Sequence, residues 1–584
     1  MPPQNWNYTK ELECLLFFAQ RAKEVLFDYT LDTFKAPALN PSSICFEAQQ
    51  ILIDIEEKHL SPQAIKPILK ELIWKVKDDP ITKSLLGQDL SMYLHFPDEN
   101  NLKDVRTKVE LLHLKISSEK YIIKAQELLF ELISLNKEKR KIDKITTNYI
   151  SSLIEKGYSQ HFLYLKFNDI FFHKKVNNIY HIQELFKLFS FKKNQYEVIF
   201  KGSKVFKEIS DSATTFNISI TEKLNPEIEL DKKVISEFPL NGSDELYLFV
   251  HELKAYDAMS AKMKAYSYIN KLSKLFIFFH HKEHPNWSEE AFIISSEGFS
   301  LKLKSPISPM KKSKDFTPPK AARKLNETIK LLNLERRSFR RVDRAIDLHG
   351  LSVENDNTEN QLLQNWIAFE TILVGYKATS KINQVITSLI PFLLFDYIER
   401  ILNYFSRDLT RQYFSETKNL LRDISEGKNA FEKICLVITT DKYKDKRAEL
   451  YNILDSNPLL KWRLFLFNKY FSDGKGILGF LTLHKTKISW QLKRIYRTRN
   501  LIVHTGRVPR FIPALVENSH TYLDILLATI ISLRTEGQHI FTIEHAISEL
   551  KLRTDKYLTL LNNNLDTKIT ETNFRSMLLN KASH

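Results

Sequence analysis

Apolar residues recur at intervals of three and four along most of this sequence, and that spacing limits the possible fold more than any other feature. It is clear in residues 15–26 and again in residues 122–132. Such spacing places apolar side chains along one face of a helix. Only 13 Gly and 19 Pro interrupt 584 residues, which further favours helix. The sequence therefore predicts a mainly α protein, beginning with an N-terminal helical region at residues 1–190.

The apolar period changes to two in the middle of the chain. Alternation of this kind is typical of half-buried β-strands, and it predicts strands at residues 196–200, 215–220, 245–250, 291–295 and 299–303. A helix is expected at residues 255–276, and Ser296-Glu297-Gly298 is expected to form a hairpin turn. These elements predict a small α/β module at residues 191–303.

A proline- and lysine-rich segment follows this module. Residues 304–324 read as a basic, Pro-rich linker, because prolines interrupt regular structure and few side chains in the segment are apolar. Helical spacing then resumes, which predicts a helical C-terminal domain at residues 325–562 and a tail at residues 563–584.

The charge and cysteine content limit the class of protein. A formal net charge of +16 favours a polyanionic partner without identifying one. The three cysteines are widely spaced, as expected of reduced thiols rather than a disulfide framework. The N-terminus has no apolar signal core, and the longest apolar run, residues 386–395, is too short to span a membrane and contains Pro391. These features predict a cytoplasmic protein without a membrane partner.

Residues 496–506 (YRTRNLIVHTG) combine a fixed cation with a titratable imidazole, Arg499 and His504. The same spacing occurs at Arg344 with His349 and at Arg534 with His539, so spacing alone does not identify a site. Only the Arg499 pair has Asn500 beside the arginine, an apolar triplet before the histidine and a small turn after it. The Arg344 pair is expected to lie in a surface salt-bridge region, and the Arg534 pair at a helix end.

The Arg-Asn, three apolar residues and His pattern resembles the signature of the HEPN superfamily of ribonucleases. Upstream, Trp366, Ala368 and Glu370 resemble a helix of the Apea-like HEPN subgroup. The resemblance covers the C-terminal region only. It implies a helical bundle that forms a homodimer through this domain, with two Arg-His motifs facing one another and cleaving RNA without a metal or cofactor. It also suggests anti-phage defence or a toxin role, with a phage-derived or protein trigger acting at the N-terminal region.

The side-chain chemistry suits RNA cleavage. His504 can transfer protons near neutral pH, and Arg499 can stabilise the extra negative charge of a phosphorane. Asn500 can orient the phosphate or the imidazole, and Glu370 can orient Arg499 or act as a further catalytic group. On a regular helix Arg499 and His504 lie about 140° apart, so convergence requires a distorted helix or a second chain.

Neighbouring residues extend this hypothesis. Arg494, Arg497 and Arg507 are candidates for binding flanking phosphates, whereas Tyr496 suits either the core or stacking on a base.

Several alternatives remain open. Arg499 and Glu370 suit a structural ion pair equally well, and the bundle suits a non-catalytic RNA-binding or scaffold protein. A further alternative is a toxin modified at Thr498, Tyr496 or Thr505 by a partner nucleotidyltransferase. The cluster His280-His281-Lys282-Glu283-His284 is expected to be a solvated loop, and no metal site is predicted.

Overall fold

The computed structural model describes residues 6, 9–96, 101–189, 191–225, 229–312, 315–331, 334–375, 380–535 and 540–581. Within these ranges the protein is mainly helical, with a five-stranded antiparallel sheet in the middle. The predicted fold class is confirmed. None of the described helices is both long enough and apolar enough to cross a membrane.

The N-terminal region is helical up to the start of the sheet. Its helices are α1 (Glu13–Leu26), α2 (Pro41–Glu56), α3 (Ile65–Asp78), α4 (Pro80–Leu86), α5 (Leu90–Tyr93), α6 (Leu102–Lys115), α7 (Ser118–Ser134), α8 (Lys139–Lys156), α9 (Gln160–Asn168) and α10 (His181–Leu188). Helix α2 begins at Pro41 because Asn40 accepts a hydrogen bond from the Ser43 amide at 3.0 Å. One continuous apolar core joins these helices.

The central module contains the sheet and three helices. Its elements are β1 (Asn194–Ser203), α11 (Ser210–Ala213), β2 (Ile218–Thr221), α12 (Glu229–Glu237), β3 (Glu245–Ala255), α13 (Ala258–Phe279), β4 (Trp287–Ser295) and β5 (Ser300–Leu303). The strand order is β2-β3-β1-β4-β5, and all pairs are antiparallel. Helix α13 packs on one face of the sheet, while Val234 and Phe238 cover the other.

The predicted strands and hairpin turn occur close to their expected positions. Gly298 occupies the turn between β4 and β5 with φ of 88°, a conformation that favours glycine. Strand β2 begins later than expected, because residues before it form a short helical turn that ends at Asn217 with φ of 54°. Helix α13 also begins later, since β3 continues to Ala255 and Asp257 caps the helix by accepting from the Ser260 amide.

The C-terminal region has its own apolar core. Its helices are α14 (Pro318–Leu331), α15 (Arg336–Glu354), α16 (Thr358–Leu373), α17 (Lys381–Phe395), α18 (Tyr397–Gln412), α19 (Phe414–Leu420), α20 (Ala430–Thr439), α21 (Lys444–Ile453), α22 (Pro458–Phe471), α23 (Gly474–Thr505), α24 (Ile512–Thr535), α25 (Ile543–Asn563) and α26 (Phe574–Met577).

Residues 304–324, expected to form a linker, pack in part against this core. Met310 is only 2% exposed and belongs to the C-terminal core, while Lys312 forms an ion pair with Glu517 at 2.5 Å. Helix α14 begins at Pro318, inside the expected linker, because Pro is well suited to the first turn of a helix. The segment therefore connects the module to the C-terminal region through fixed contacts.

Residues 563–584 were expected to form a tail, but most of the described part is folded. Ile569, Phe574 and Leu578 are buried in the C-terminal core. The backbone of this segment also bonds to the start of α23, where the Gly474 amide donates to the Thr567 carbonyl at 3.2 Å. The C-terminal core is therefore complete only with this segment in place.

Candidate functional site

Helix α23 carries the Arg499 and His504 motif in its last two turns. Asp473 caps the start of this helix by accepting from the Gly476 amide at 2.8 Å. The helix ends at Thr505, and Gly506 follows with φ of 65° and donates its amide to the Ile502 carbonyl. The motif is therefore held on regular helix, and the expected turn begins at Gly506.

The regular helix separates the two principal side chains. Arg499 and His504 lie about 140° apart around the axis, whereas Asn500 and His504, four residues apart, share a face. The His504 side chain is exposed. A single chain therefore does not bring Arg499 and His504 to one phosphate.

The Trp366 motif packs directly against the helix of the Arg499 motif. The rings of Trp366 and Tyr496 lie 5.3 Å apart, and Trp366 is fully buried. The Trp366 indole N–H donates to Glu370 Oε1 at 2.8 Å. The structure therefore brings together the two sequence segments that carry the family resemblance, and Tyr496 acts here as a packing residue.

Arg499 keeps a free positive charge. Its Nη1 donates to Asn500 Oδ1 at 3.0 Å, and its buried Nε–H has no hydrogen-bond partner among the described residues. Among the described residues, neither Glu370 nor any other carboxylate lies within 4 Å of the Arg499 guanidinium as an ion-pair partner. The structural ion pair between Arg499 and Glu370, considered above as an alternative, is therefore not formed. The guanidinium is available to an anion.

Arg494 and Arg497 lie on another face of α23, buried against the N-terminal region. Arg494 binds Glu47 at 2.9 Å and Glu71 at 2.6 Å, and Arg497 also binds Glu47. Burial opposes ionisation of Glu47, but the two arginines outweigh it and lower the pKa of its carboxyl group. Binding of flanking phosphates by Arg494 and Arg497 does not fit this arrangement, because carboxylates already neutralise both cations.

Arg507, the third arginine expected to bind phosphate, is half exposed. It pairs with Asp54 at 2.8 Å and with Glu57 at 3.3 Å, both near the end of α2. Helix α2 thus holds the last turns of α23 through Glu47, Asp54 and Glu57. Nothing near residue 499 in the sequence could have revealed these contacts, since Glu47 and Arg494 are 447 residues apart.

A large cavity of about 1110 Å³ lies between the N-terminal and C-terminal regions. Trp74, Lys75, Lys487 and Trp490 contribute to its lining, together with Arg494 and Arg497. Burial, and to a smaller degree the positive charge of Lys487, lowers the pKa of Lys75 to about 8. The interface between the two regions is therefore charged and incompletely filled.

The other two Arg–His pairs of the sequence, Arg344 with His349 and Arg534 with His539, lie in surroundings different from those of Arg499. His349 contacts His520 and Asp524 on α24, a helix distant in sequence from the Arg-rich segment in which a surface salt bridge was expected. Arg534 lies within the bounds of α24, while His539 lies outside the described residues. His280, His281 and His284 are exposed after α13, as a solvated loop requires.

Two clusters within the described ranges have side chains suited to a metal ion. One contains Asp54, Glu57 and His59, but Arg507 already pairs with both carboxylates. The other contains His349, His520 and Asp524. Sequence spacing missed this second cluster, whose only local signal is His520 and Asp524 four residues apart on a helix.

Comparisons with known protein families, with curated proteins and with solved structures found no match.

Proposed function

We propose that this protein is a metal-independent endoribonuclease, whose catalytic groups are Arg499, His504 and Asn500. The observation that carries the proposal is the contrast among the arginines at the end of α23. Arg494, Arg497 and Arg507 are neutralised by carboxylates, whereas Arg499 has no such partner among the described residues. An unneutralised guanidinium next to an amide, together with an exposed imidazole five residues further along the helix, supplies groups that suit a phosphodiester.

RNA supplies its own nucleophile for this reaction. His504 removes the proton of the 2′-hydroxyl, and the oxygen attacks the adjacent phosphorus while the bond to the 5′-oxygen breaks. Arg499 stabilises the charge of the phosphorane, and a second His504 can protonate the leaving oxygen. The products are a 2′,3′-cyclic phosphate and a 5′-hydroxyl. No redox change or metal-bound water is needed.

A homodimer is part of this proposal. Because Arg499 and His504 lie on different faces of one straight helix, a composite site requires the same motif from a second chain. Val503, four residues after Arg499 and half exposed, offers apolar surface on the Arg499 face for such contact.

The N-terminal region suits a restraining role. Arg497 and His504 are seven residues apart and therefore lie within about 20° of each other around α23. On this side of α23, Glu47 of α2 pairs with Arg497. Just beyond the end of α23, Arg507 pairs with Asp54 and Glu57. We propose that a phage-derived or protein trigger separates α2 from α23, in a cytoplasmic defence or toxin system.

The decisive experiment measures cleavage of purified tRNA and mRNA in EDTA by protein carrying Glu47→Gln, which opens the contact between α2 and α23, with the ends of the products mapped. The proposal predicts 2′,3′-cyclic phosphate ends, and rates at least about 100-fold lower in Arg499→Ala and His504→Ala. Arg534→Ala and His539→Ala alter the same residue spacing elsewhere and, in the same Glu47→Gln background, should leave the cleavage rate unchanged. Equal rates in all four variants would exclude the site.

A non-catalytic RNA-binding or scaffold function is the second candidate. It is favoured by the failure of Arg499 and His504 to converge within one chain. It predicts salt-sensitive RNA binding without cleavage, including in a variant that opens the contact between α2 and α23. That result would replace the ribonuclease proposal.

A further inference from the structure

A cluster of two histidines and one aspartate lies on α15 and α24, on different helices from the Arg499 motif. His349 Nε2 lies 3.1 Å from His520 Nε2 and 3.1 Å from Asp524 Oδ1. His520 Nε2 also lies 3.3 Å from Asp524 Oδ2. Three donor groups of the type that binds transition metals therefore meet at one point, although His349 and His520 are 171 residues apart in the chain.

These distances fit a shared ion. Donors bound tetrahedrally at 2.0–2.1 Å from Zn²⁺ are separated by about 3.3 Å. The two imidazole nitrogens lie 3.1 Å apart, and each lies 3.1–3.3 Å from a different oxygen of the Asp524 carboxylate. The other Asp–Glu–His cluster, at the end of α2, already contains the cationic Arg507, whereas no lysine or arginine forms an ion pair with Asp524 in the described structure. Two imidazoles and one carboxylate form a ligand set typical of zinc sites with an open position.

The surroundings of the cluster favour metal binding as well. The His520 side chain is 5% exposed, so its ring is enclosed between the packed helices. His349 and Asp524 are 27% and 42% exposed, so an ion can enter and a water molecule can complete its coordination. The ligand nitrogen atoms are thus held on helices while one side remains open.

We propose that His349, His520 and Asp524 bind a divalent transition-metal ion of the Zn²⁺ class, which joins α15 to α24. Both helices pack against α16, the helix that carries Trp366 and Glu370. Next to the cluster, Ser519 accepts a hydrogen bond from Asn365 of α16 at 3.0 Å. The ion therefore stabilises the packing around α16 and takes no part in cutting RNA.

The test uses the full-length protein after removal of bound metals. Zn²⁺ binding is measured by competition with a chromophoric chelator, and Co²⁺ is added as a spectroscopic probe. We expect one ion per chain, Co²⁺ absorption bands of the intensity typical of four-coordinate sites, and a higher melting temperature with Zn²⁺. His349→Gln and Asp524→Asn should weaken Zn²⁺ binding by more than about 100-fold, because each removes a direct ligand.

The double variant His281→Gln/His284→Gln is the matched control, since it removes histidines from the other histidine cluster in the chain. It should bind Zn²⁺ as the wild type does. Loss of binding in this control, or equal binding in His349→Gln and the wild type, would overturn the proposal. Because Co²⁺ absorption is recorded on the wild type, absence of a Co²⁺ complex overturns it even if a variant fails to fold.

This inference does not depend on the ribonuclease proposal. Zn²⁺ binding is read by stoichiometry and absorption, whereas RNA cleavage is read in EDTA. Cleavage should survive EDTA at temperatures well below melting, because no catalytic step uses the ion.

Discussion

Replacing Glu47 by Gln is the sharpest test of how the N-terminal region holds α23. Glu47 is 8% exposed and accepts hydrogen bonds from Arg494 at 2.9 and 3.1 Å, and also from Arg497. Glutamine keeps the size but removes the charge, so Arg494 would keep only Glu71 as a carboxylate partner and Arg497 would lose its ion pair with Glu47. Removing one partner of a buried ion pair typically costs about 3–5 kcal/mol. The expected effect is a 10²- to 10³-fold or greater rise in the population with this contact open, at about 1.4 kcal/mol per tenfold.

Glu56→Gln is the matched control on the same helix. Glu56 pairs with Arg106 at 2.6 Å, but its side chain is 55% exposed. Exposed pairs contribute about 0–1 kcal/mol, so this variant should change the open population by less than about fivefold. The two variants differ in burial and in partner, since Glu56 pairs with Arg106 of α6 and Glu47 with α23, while the helix and the chemical change are held constant.

Native-state hydrogen exchange measures the opening directly. The amides in the last turns of α23 and in the middle of α2 should exchange faster in Glu47→Gln and remain protected in Glu56→Gln. Equal exchange in the two variants would refute the argument from burial. Faster exchange in Glu47→Gln without faster RNA cleavage would refute the proposed restraint by the N-terminal region, while leaving the energetics intact.

Three further predictions concern stability. Glu47 and Glu517 have pKa values lowered below 4.5, because nearby cations outweigh the opposing effect of burial. The stability that these carboxylates contribute is therefore complete above pH 4.5 and is lost as the pH falls through the lowered pKa. Hydrogen exchange between pH 3 and 7 should show the interface between the N-terminal and C-terminal regions opening only below about pH 4.5. Lys75→Met should raise the free energy of unfolding by about 1–3 kcal/mol at pH 7, because burial lowers the pKa of Lys75 from 10.5 to about 8. Denaturant unfolding should show this gain in stability shrinking as the pH rises from 8 to 10.5. Gly474→Ala should lower the melting temperature strongly, because the added Cβ would lie 2.1 Å from the Asn564 carbonyl oxygen. Gly479→Ala on the same helix is the control, since its Cβ meets open space and the variant should be more stable by about 0.5–1 kcal/mol. Similar melting temperatures for the two variants would contradict the close contact at Gly474.

The sheet module could be predicted because its information is local. Alternating apolar residues in strands β1, β3 and β4 reflect burial of the two faces of the sheet, and Gly298 marks the turn. Helix and strand periods are visible within a few residues, so element types were clear while their ends shifted. Asp257 moved the start of α13 through a single capping bond.

Contacts between distant segments could not be predicted from the sequence. The composition of residues 304–324 suggests a linker, but it does not reveal that Met310 enters a core built by later helices. Arg494 and Arg497 look like phosphate-binding residues until Glu47 and Glu71 appear beside them. The charge of a side chain is visible in sequence, whereas its neutralisation by a remote partner is a property of the fold.

The order of synthesis gives the folded C-terminal segment a consequence for the newborn protein. The start of α23 is closed by backbone bonds to residues 565 and 567, and Leu578 and Leu579 complete the core. This core therefore cannot be finished until residues 565–579 leave the ribosome, roughly 20–80 s after the N-terminal region at usual synthesis rates. Helix α2 is thus synthesised and ready to bind α23 before α23 reaches its final position, and Glu47 is in place before Arg494 and Arg497 need it.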